Sequence, residues 1–255
     1  MRNKVADILS KIHDHDEFSV VRDFFEISAL AVRNAVDKGN GFEEREKRYL
    51  SVVNNYKKEQ VQVFVEALAE YETQINLAIE GSRPFSDFAG EIYMASGTNS
   101  KGAGQFFTPY SVSRCMAEIN LDINMMKLEI ERNPDRVFTM MEPTCGAAGM
   151  IVAACDVLAI NGINYSWNFL ADCGDIDSRC VHMSYLTLSL LGVPAIVRKG
   201  DALMMNYSET WLTPAYIFAW PHFKNCRKET EKTTEPANVP MPEPIMEKSG
   251  QYSLF

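Results

Sequence analysis

Two textures divide the chain. Within residues 1–84, apolar side chains recur every three or four positions: Val20, Phe24, Ile27, Leu30 and Ala31, then Val61, Phe64, Val65 and Leu68. Charged residues fill the gaps. This spacing gives each segment one apolar stripe and predicts amphipathic helices, interrupted at Gly39-Asn40-Gly41. The expectation is a helical subdomain that packs on the rest of the chain or on another protein. It carries no cluster of reactive side chains.

A polar, glycine-rich loop at 97–104 separates this region from an alternating one. Val137-Phe138-Thr139-Met140-Met141 reads as a short apolar strand, followed by a glycine turn and an apolar helix over 150–160. Asn168-Phe169-Leu170-Ala171 reads as a second strand and 178–191 as a second helix. Ala195-Ile196-Val197 reads as a third strand and Tyr216-Ile217-Phe218-Ala219 as a fourth. Strand–helix–strand alternation predicts an α/β unit with a parallel sheet and helices on both faces. From residue 224 the periodicity ends. Pro236, Pro240, Pro242 and Pro244 stand among Glu and Lys, the composition of a disordered or extended tail.

The totals narrow the class. A chain of 255 residues holds one sizeable domain plus an accessory segment. No apolar run approaches the ~18 residues of a membrane span, and charges occupy the N-terminus where a signal peptide is apolar. A soluble cytoplasmic protein is expected. The six cysteines form no C-x-x-C pair, which fits reduced thiols rather than a zinc knuckle or disulfide framework. His13 and His15 read as an exposed helix end, because no further ligands follow at metal spacing, and no metal is expected. The net charge of −9 points to a partner that supplies much of any DNA contact, since a chain that grips DNA alone commonly has a basic face.

Candidate chemistry gathers where strands end. Glu142-Pro143-Thr144-Cys145-Gly146-Ala147-Ala148-Gly149 follows the first strand and opens a helix. Small residues there allow close approach of a ligand to backbone N–H groups, although a tight strand–helix turn needs glycine in any case. Asp175, in Gly174-Asp175-Ile176-Asp177, follows the second strand. A carboxylate there can accept two ribose hydroxyls, or it can cap the next helix, a role Asp177 or Ser178 also fits. Asp201-Ala202 follows the third strand, where a carboxylate can accept from an adenine amino group. All three lie at the carboxyl ends of successive strands, the ligand edge of open α/β sheets.

Five blocks in order resemble the modification subunit of type I restriction systems and related N6-adenine DNA methylases. They are Asp87-Phe88-Ala89-Gly90-Glu91-Ile92-Tyr93, Gly104-Gln105-Phe106-Phe107-Thr108-Pro109, Glu142-Pro143-Thr144-Cys145-Gly146, Gly174-Asp175-Ile176-Asp177 and Gly200-Asp201-Ala202-Leu203. The resemblance spans residues 85–223. It implies a Rossmann-like methyltransferase fold, truncated, with an N-terminal helical subdomain, and S-adenosyl-L-methionine as cofactor. Phe107, Thr108 and Pro109 would contact the methionine end. Glu142, Pro143, Cys145, Gly146 and Gly149 would line the pocket. Asp175 with Ile176 would hold the ribose, and Asp201 with Ala202 the adenine.

Two departures bear on activity. The family's Gly-Ser-Gly-Gly loop is Gly146-Ala147-Ala148-Gly149 here, tolerable where the backbone keeps a negative φ. The catalytic Asn/Asp-Pro-Pro-Phe/Tyr tetrad, expected after the fourth strand, is replaced by Trp220-Pro221-His222-Phe223. An indole donates and cannot accept from a target amino group, so Trp220 reads as a packing residue. Two functions follow from the resemblance: site-specific adenine-N6 methylation of DNA, or a catalytically inactive methylase-like protein that binds cofactor or DNA and regulates. A specificity subunit is a candidate partner. The last five residues, Gln251-Tyr252-Ser253-Leu254-Phe255, resemble the pentapeptide that docks on bacterial sliding clamps. There Gln251 would hydrogen-bond, and Leu254 and Phe255 would fill an apolar pocket.

Overall fold

The computed structural model describes residues 3–39, 41–96 and 107–224. The glycine-rich loop, Gly104-Gln105-Phe106 and the tail with Gln251, Leu254 and Phe255 lie outside the described residues. The first part is helical: α1 (Lys4–Leu9), α2 (Glu17–Val36), α3 (Phe42–Val53), α4 (Lys58–Ile79) and α5 (Phe88–Ala95). Asp16 starts α2 by accepting the Ser19 N–H at 3.0 Å, which satisfies one of the orphan donors of a helix start. The stripe expected on α2 is buried, including Val20, Phe24, Ile27 and Leu30. On α4 the inward line runs through Phe64, Ala67, Tyr71 and Ile75, and Val65 turns outward at 55% exposure.

After α6 (Tyr110–Asn120) and α7 (Ile123–Arg132), the alternating region folds as β1 (Phe138–Glu142), α8 (Gly149–Ile160), α9 (Tyr165–Asn168), β2 (Phe169–Asp175), α10 (Ser178–Leu190), β3 (Ala195–Asp201), β4 (Asn206–Leu212) and α11 (Pro214–Phe218). The sheet order is β1-β2-β3-β4. The first two pairings are parallel, with Glu142 opposite Cys173 and Asp175 opposite Lys199. β4 returns antiparallel to β3 through a bulge at Lys199/Gly200. Period-two alternation splits the strand side chains between two faces. Phe169, Ala171, Cys173, Val197 and Trp211 join a large core with α8, α10 and the N-terminal helices. Leu170, Ile196 and Leu212 join Val137, Tyr216 and Phe223 in a smaller one on the other face.

The helices at residues 4–79 share the larger core without a break. The Tyr71 hydroxyl meets the Thr187 hydroxyl of α10 at 2.7 Å. Arg33 donates to the Thr210 carbonyl at 3.0 Å and lies 4.4 Å over the Trp211 ring.

One expected element is corrected. The fourth strand is not Tyr216-Ile217-Phe218-Ala219, which lies on and just after helix α11. Pro214 takes the first helical position, where its missing N–H costs nothing, and the run buries Tyr216 fully, with Ile217 and Ala219 packed beside it and Phe218 exposed. The fourth strand is Asn206–Leu212, whose inward Tyr207, Glu209 and Trp211 alternate with exposed or half-exposed Ser208 and Thr210.

Candidate functional site

The carboxyl ends of β1, β2 and β3 share one edge because the three strands are parallel. The turn after β1 is anchored there by its backbone. The Cys145 N–H donates to the Gly174 carbonyl at 2.8 Å and the Ala148 N–H to the Cys145 carbonyl at 2.8 Å. Gly146 takes φ +52°, and its N–H donates to Asp175 Oδ2 at 3.0 Å. The other oxygen of Asp175 accepts the Asp177 N–H at 2.9 Å. Asp177 caps α10 through the Arg179 N–H, so the helix cap falls to Asp177 and not to Asp175, whose carboxylate braces the turn.

Around this turn lies a cavity of about 330 Å³. Among the residues expected to hold a cofactor, Phe107, Thr108, Cys145, Gly146, Gly149 and Asp175 line it. Asp87, Ser113, Thr144, Ala147, Met150 and Cys180 complete the wall. A methyl group on Gly146 would stand 3.0 Å from the Phe107 ring, so glycine keeps this cradle open. The buried Ser113 hydroxyl has no hydrogen-bond partner, and a buried orphan of this kind is satisfied when a ligand meets it. Asp87 Oδ1 accepts the Gly90 N–H at 3.1 Å as the cap of α5. Burial pushes the Asp87 carboxyl up to about 6.

The remaining expected residues stand apart from the cavity wall. Pro109 caps α6. Glu142 ends β1 and accepts from Thr144 at 3.4 Å, with Pro143 between them. Ile176 is 70% exposed. Asp201, followed by Ala202, accepts the Leu203 and Met204 N–H groups at 2.9 and 3.1 Å and closes the β3–β4 turn. Ala148 has φ +70°, so the condition for tolerating alanine fails at this position. Burial raises the Cys180 thiol, and a hydrogen bond with Cys145, then burial, raises Cys173.

The structure does not bring Trp220, Pro221, His222 and Phe223 to the cavity. β4 runs back towards the strand starts, and the tetrad follows there. His222 stacks on Trp167, one residue before the end of α9, with ring centroids 3.9 Å apart. Its Nε2 lies 2.9 Å from the Trp167 carbonyl. Phe223 packs in the cluster of Val137, Leu170 and Leu212, and Trp220 packs edge-on to Tyr216 at 5.4 Å.

Sequence reasoning missed Asp87 and Ser113 as wall residues. The signal for Ser113 is its place on the inward stripe of α6, three residues after Tyr110 and four before Ala117, where an apolar residue is the norm. Asp87 looks in the sequence like an ordinary helix cap. Among the described residues, no cluster of three His, Cys, Asp or Glu side chains is placed to hold a metal ion. No helix there is long and apolar enough to cross a membrane.

The α/β sheet thus carries a glycine turn and an acid at the ends of adjacent strands. The sequence model described as N-6 DNA Methylase matches residues 87–250, and the chain belongs to that family. Its sheet and helices are an α/β, Rossmann-like methyltransferase fold with four strands among the described residues. Among solved structures, the type I restriction-modification system methyltransferase subunit from Streptococcus thermophilus is similar at 15% identity and a TM-score of 0.35. The match covers 78% of this chain and 57% of that one, so the chain spans little more than half that subunit's length. A search of curated proteins finds no match.

Proposed function

We propose that the chain binds S-adenosyl-L-methionine in the cavity at the strand ends and supplies the cofactor site for adenine-N6 methylation of DNA. The observation that carries this reading is the Asp175–Gly146 bond beside an open cavity wall. It sets the acid after the second strand beside the glycine turn after the first, the two strand-end features by which open α/β sheets hold a nucleoside. The residues present fit the group: the Gly146 cradle has room, and Ser113 offers an unsatisfied hydroxyl. Bound cofactor supplies an electrophilic methyl group on a sulfonium. Phe107 and Thr108 would bound one end, and Asp175 would orient the ribose through lone pairs not used by the backbone. Asp201 would meet the adenine amino group through Oδ2, since its Oδ1 already accepts two N–H groups.

The placement of Trp220–Phe223 beside Trp167 favours a second reading. In it the protein binds cofactor or DNA and regulates, without transferring the methyl group by its own tetrad. DNA and a specificity subunit are the partners under the first reading. Under either, the terminal Gln251, Leu254 and Phe255 would dock on the sliding clamp in the cytoplasm.

Purified protein is titrated with S-adenosyl-L-methionine by calorimetry, and tritiated cofactor is incubated with unmethylated DNA, with and without clamp. Saturable binding that Asp175→Ala abolishes supports the cofactor site. Absence of binding overturns it. Label entering DNA defeats the regulatory reading, and binding without label even when a specificity subunit is added defeats the enzymatic one. Deletion of the last five residues should abolish co-elution with the clamp, and unchanged co-elution refutes docking.

A further inference from the structure

Asp87 is a carboxylate in a place where a carboxylate is costly. It lines the cavity and sits against the first residue of α8, where a methyl group on Gly149 would lie 3.6 Å from its Cγ. One oxygen caps α5 through Gly90. The other has no hydrogen-bond donor, and no Lys, Arg or His among the described residues pairs with the group. Its charged and titratable neighbours are unfavourable or neutral: Glu91 on α5, Tyr71 on α4, and Asp175, Cys145 and Cys180 around the cavity. A neutral asparagine would cap α5 equally well. The cap alone therefore leaves the charge unexplained. In the same wall the Ser113 hydroxyl is also unpartnered.

Resting on the adenosyl-ligand reading, we infer that Asp87 accepts the α-ammonium of the ligand's amino-acid end, with Ser113 as a second polar contact. A cationic donor is the ligand group that stabilises such a largely desolvated carboxylate most, by charge as well as by hydrogen bond. An ammonium carries three donors, enough for the free oxygen and the hydroxyl together. The adenine and ribose carry no positive charge and the sulfonium carries no hydrogen-bond donor, so the free oxygen of Asp87 matches the amino-acid end. Asp87 is thereby a residue that separates whole cofactor from its adenosyl fragment.

The test compares S-adenosylhomocysteine, which keeps the amino-acid end, with 5′-methylthioadenosine, which lacks it. Calorimetry is run on wild type, Asp87→Asn and Ser113→Ala. The expected result is a loss of about 10- to 100-fold in affinity for S-adenosylhomocysteine in Asp87→Asn, with methylthioadenosine binding unchanged. Ser113→Ala gives a smaller loss with the same selectivity. Near pH 6, wild type releases about half a proton on binding S-adenosylhomocysteine, seen as a dependence of the binding heat on buffer. Asp87→Asn releases none. Equal weakening of both ligands, or of neither, overturns the inference while the adenosyl site stands. Failure of wild type to bind either ligand overturns both.

Discussion

The carboxylate of Asp175 reaches back 29 residues to hold the Gly146 N–H at 3.0 Å. Its second oxygen holds the N–H of Asp177 at 2.9 Å. One side chain thus fixes two strand-end turns. Asp175→Asn leaves a single acceptor oxygen for two donors, and an unpaired buried N–H costs about 1–3 kcal/mol. Chemical denaturation should read that loss, and calorimetry should read weakened binding of S-adenosylhomocysteine.

Gly146→Ala is expected to damage the cavity more than the fold. An alanine at φ +52° costs about 1–2 kcal/mol. Its methyl group would press the Phe107 ring at 3.0 and 3.1 Å. Ligand affinity should fall about tenfold or more. Unchanged affinity in the variant would show that the ring is not part of the binding wall.

Trp220→Asn restores the family's acceptor residue in name only. At the strand starts, packed on Tyr216, it has no access to a ligand at the other edge. The expected outcome is no gain in transfer of tritiated methyl groups to DNA. Stability should drop by roughly half the 3–5 kcal/mol of a fully buried Trp deletion. A gain of transfer would contradict this placement.

Two buried groups tilt stability with pH in opposite directions. Burial raises Asp87 from 3.8 to about 6, so its share of stability is complete below pH 3.8 and lost as pH rises through 6. Burial, then the Arg48 charge, lowers His182 from 6.5 to about 3, so its share is complete above 6.5 and is lost as pH falls towards 3. Asp87→Asn, which keeps the α5 cap, should add on the order of 2–3 kcal/mol at pH 7. That gain should vanish near pH 4, leaving a steeper acid loss from His182. Urea unfolding at pH 4, 5, 6 and 7 checks both slopes.

Much of this was legible from residue order. Short apolar runs and the glycine turn located β1, β2, β3 and their shared carboxyl edge, because parallel strands bury their side chains on both faces. The antiparallel return of β4 was missed because an apolar run, Tyr216-Ile217-Phe218-Ala219, outweighed the weaker alternation of Tyr207, Glu209 and Trp211. That reversal carried Trp220–Phe223 away from the cavity, which no local pattern reveals. Asp87 was hidden for a different reason. A capping acid and a ligand-binding acid look alike until the wall around them is known.

The bonds from Tyr71 to Thr187 and from Arg33 to Thr210 have a consequence for how the molecule comes apart. They join α4 to α10 and α2 to β4, inside one apolar interior. Melting should be a single cooperative event, and amide exchange in α2 and α10 should slow together when an adenosyl compound is added.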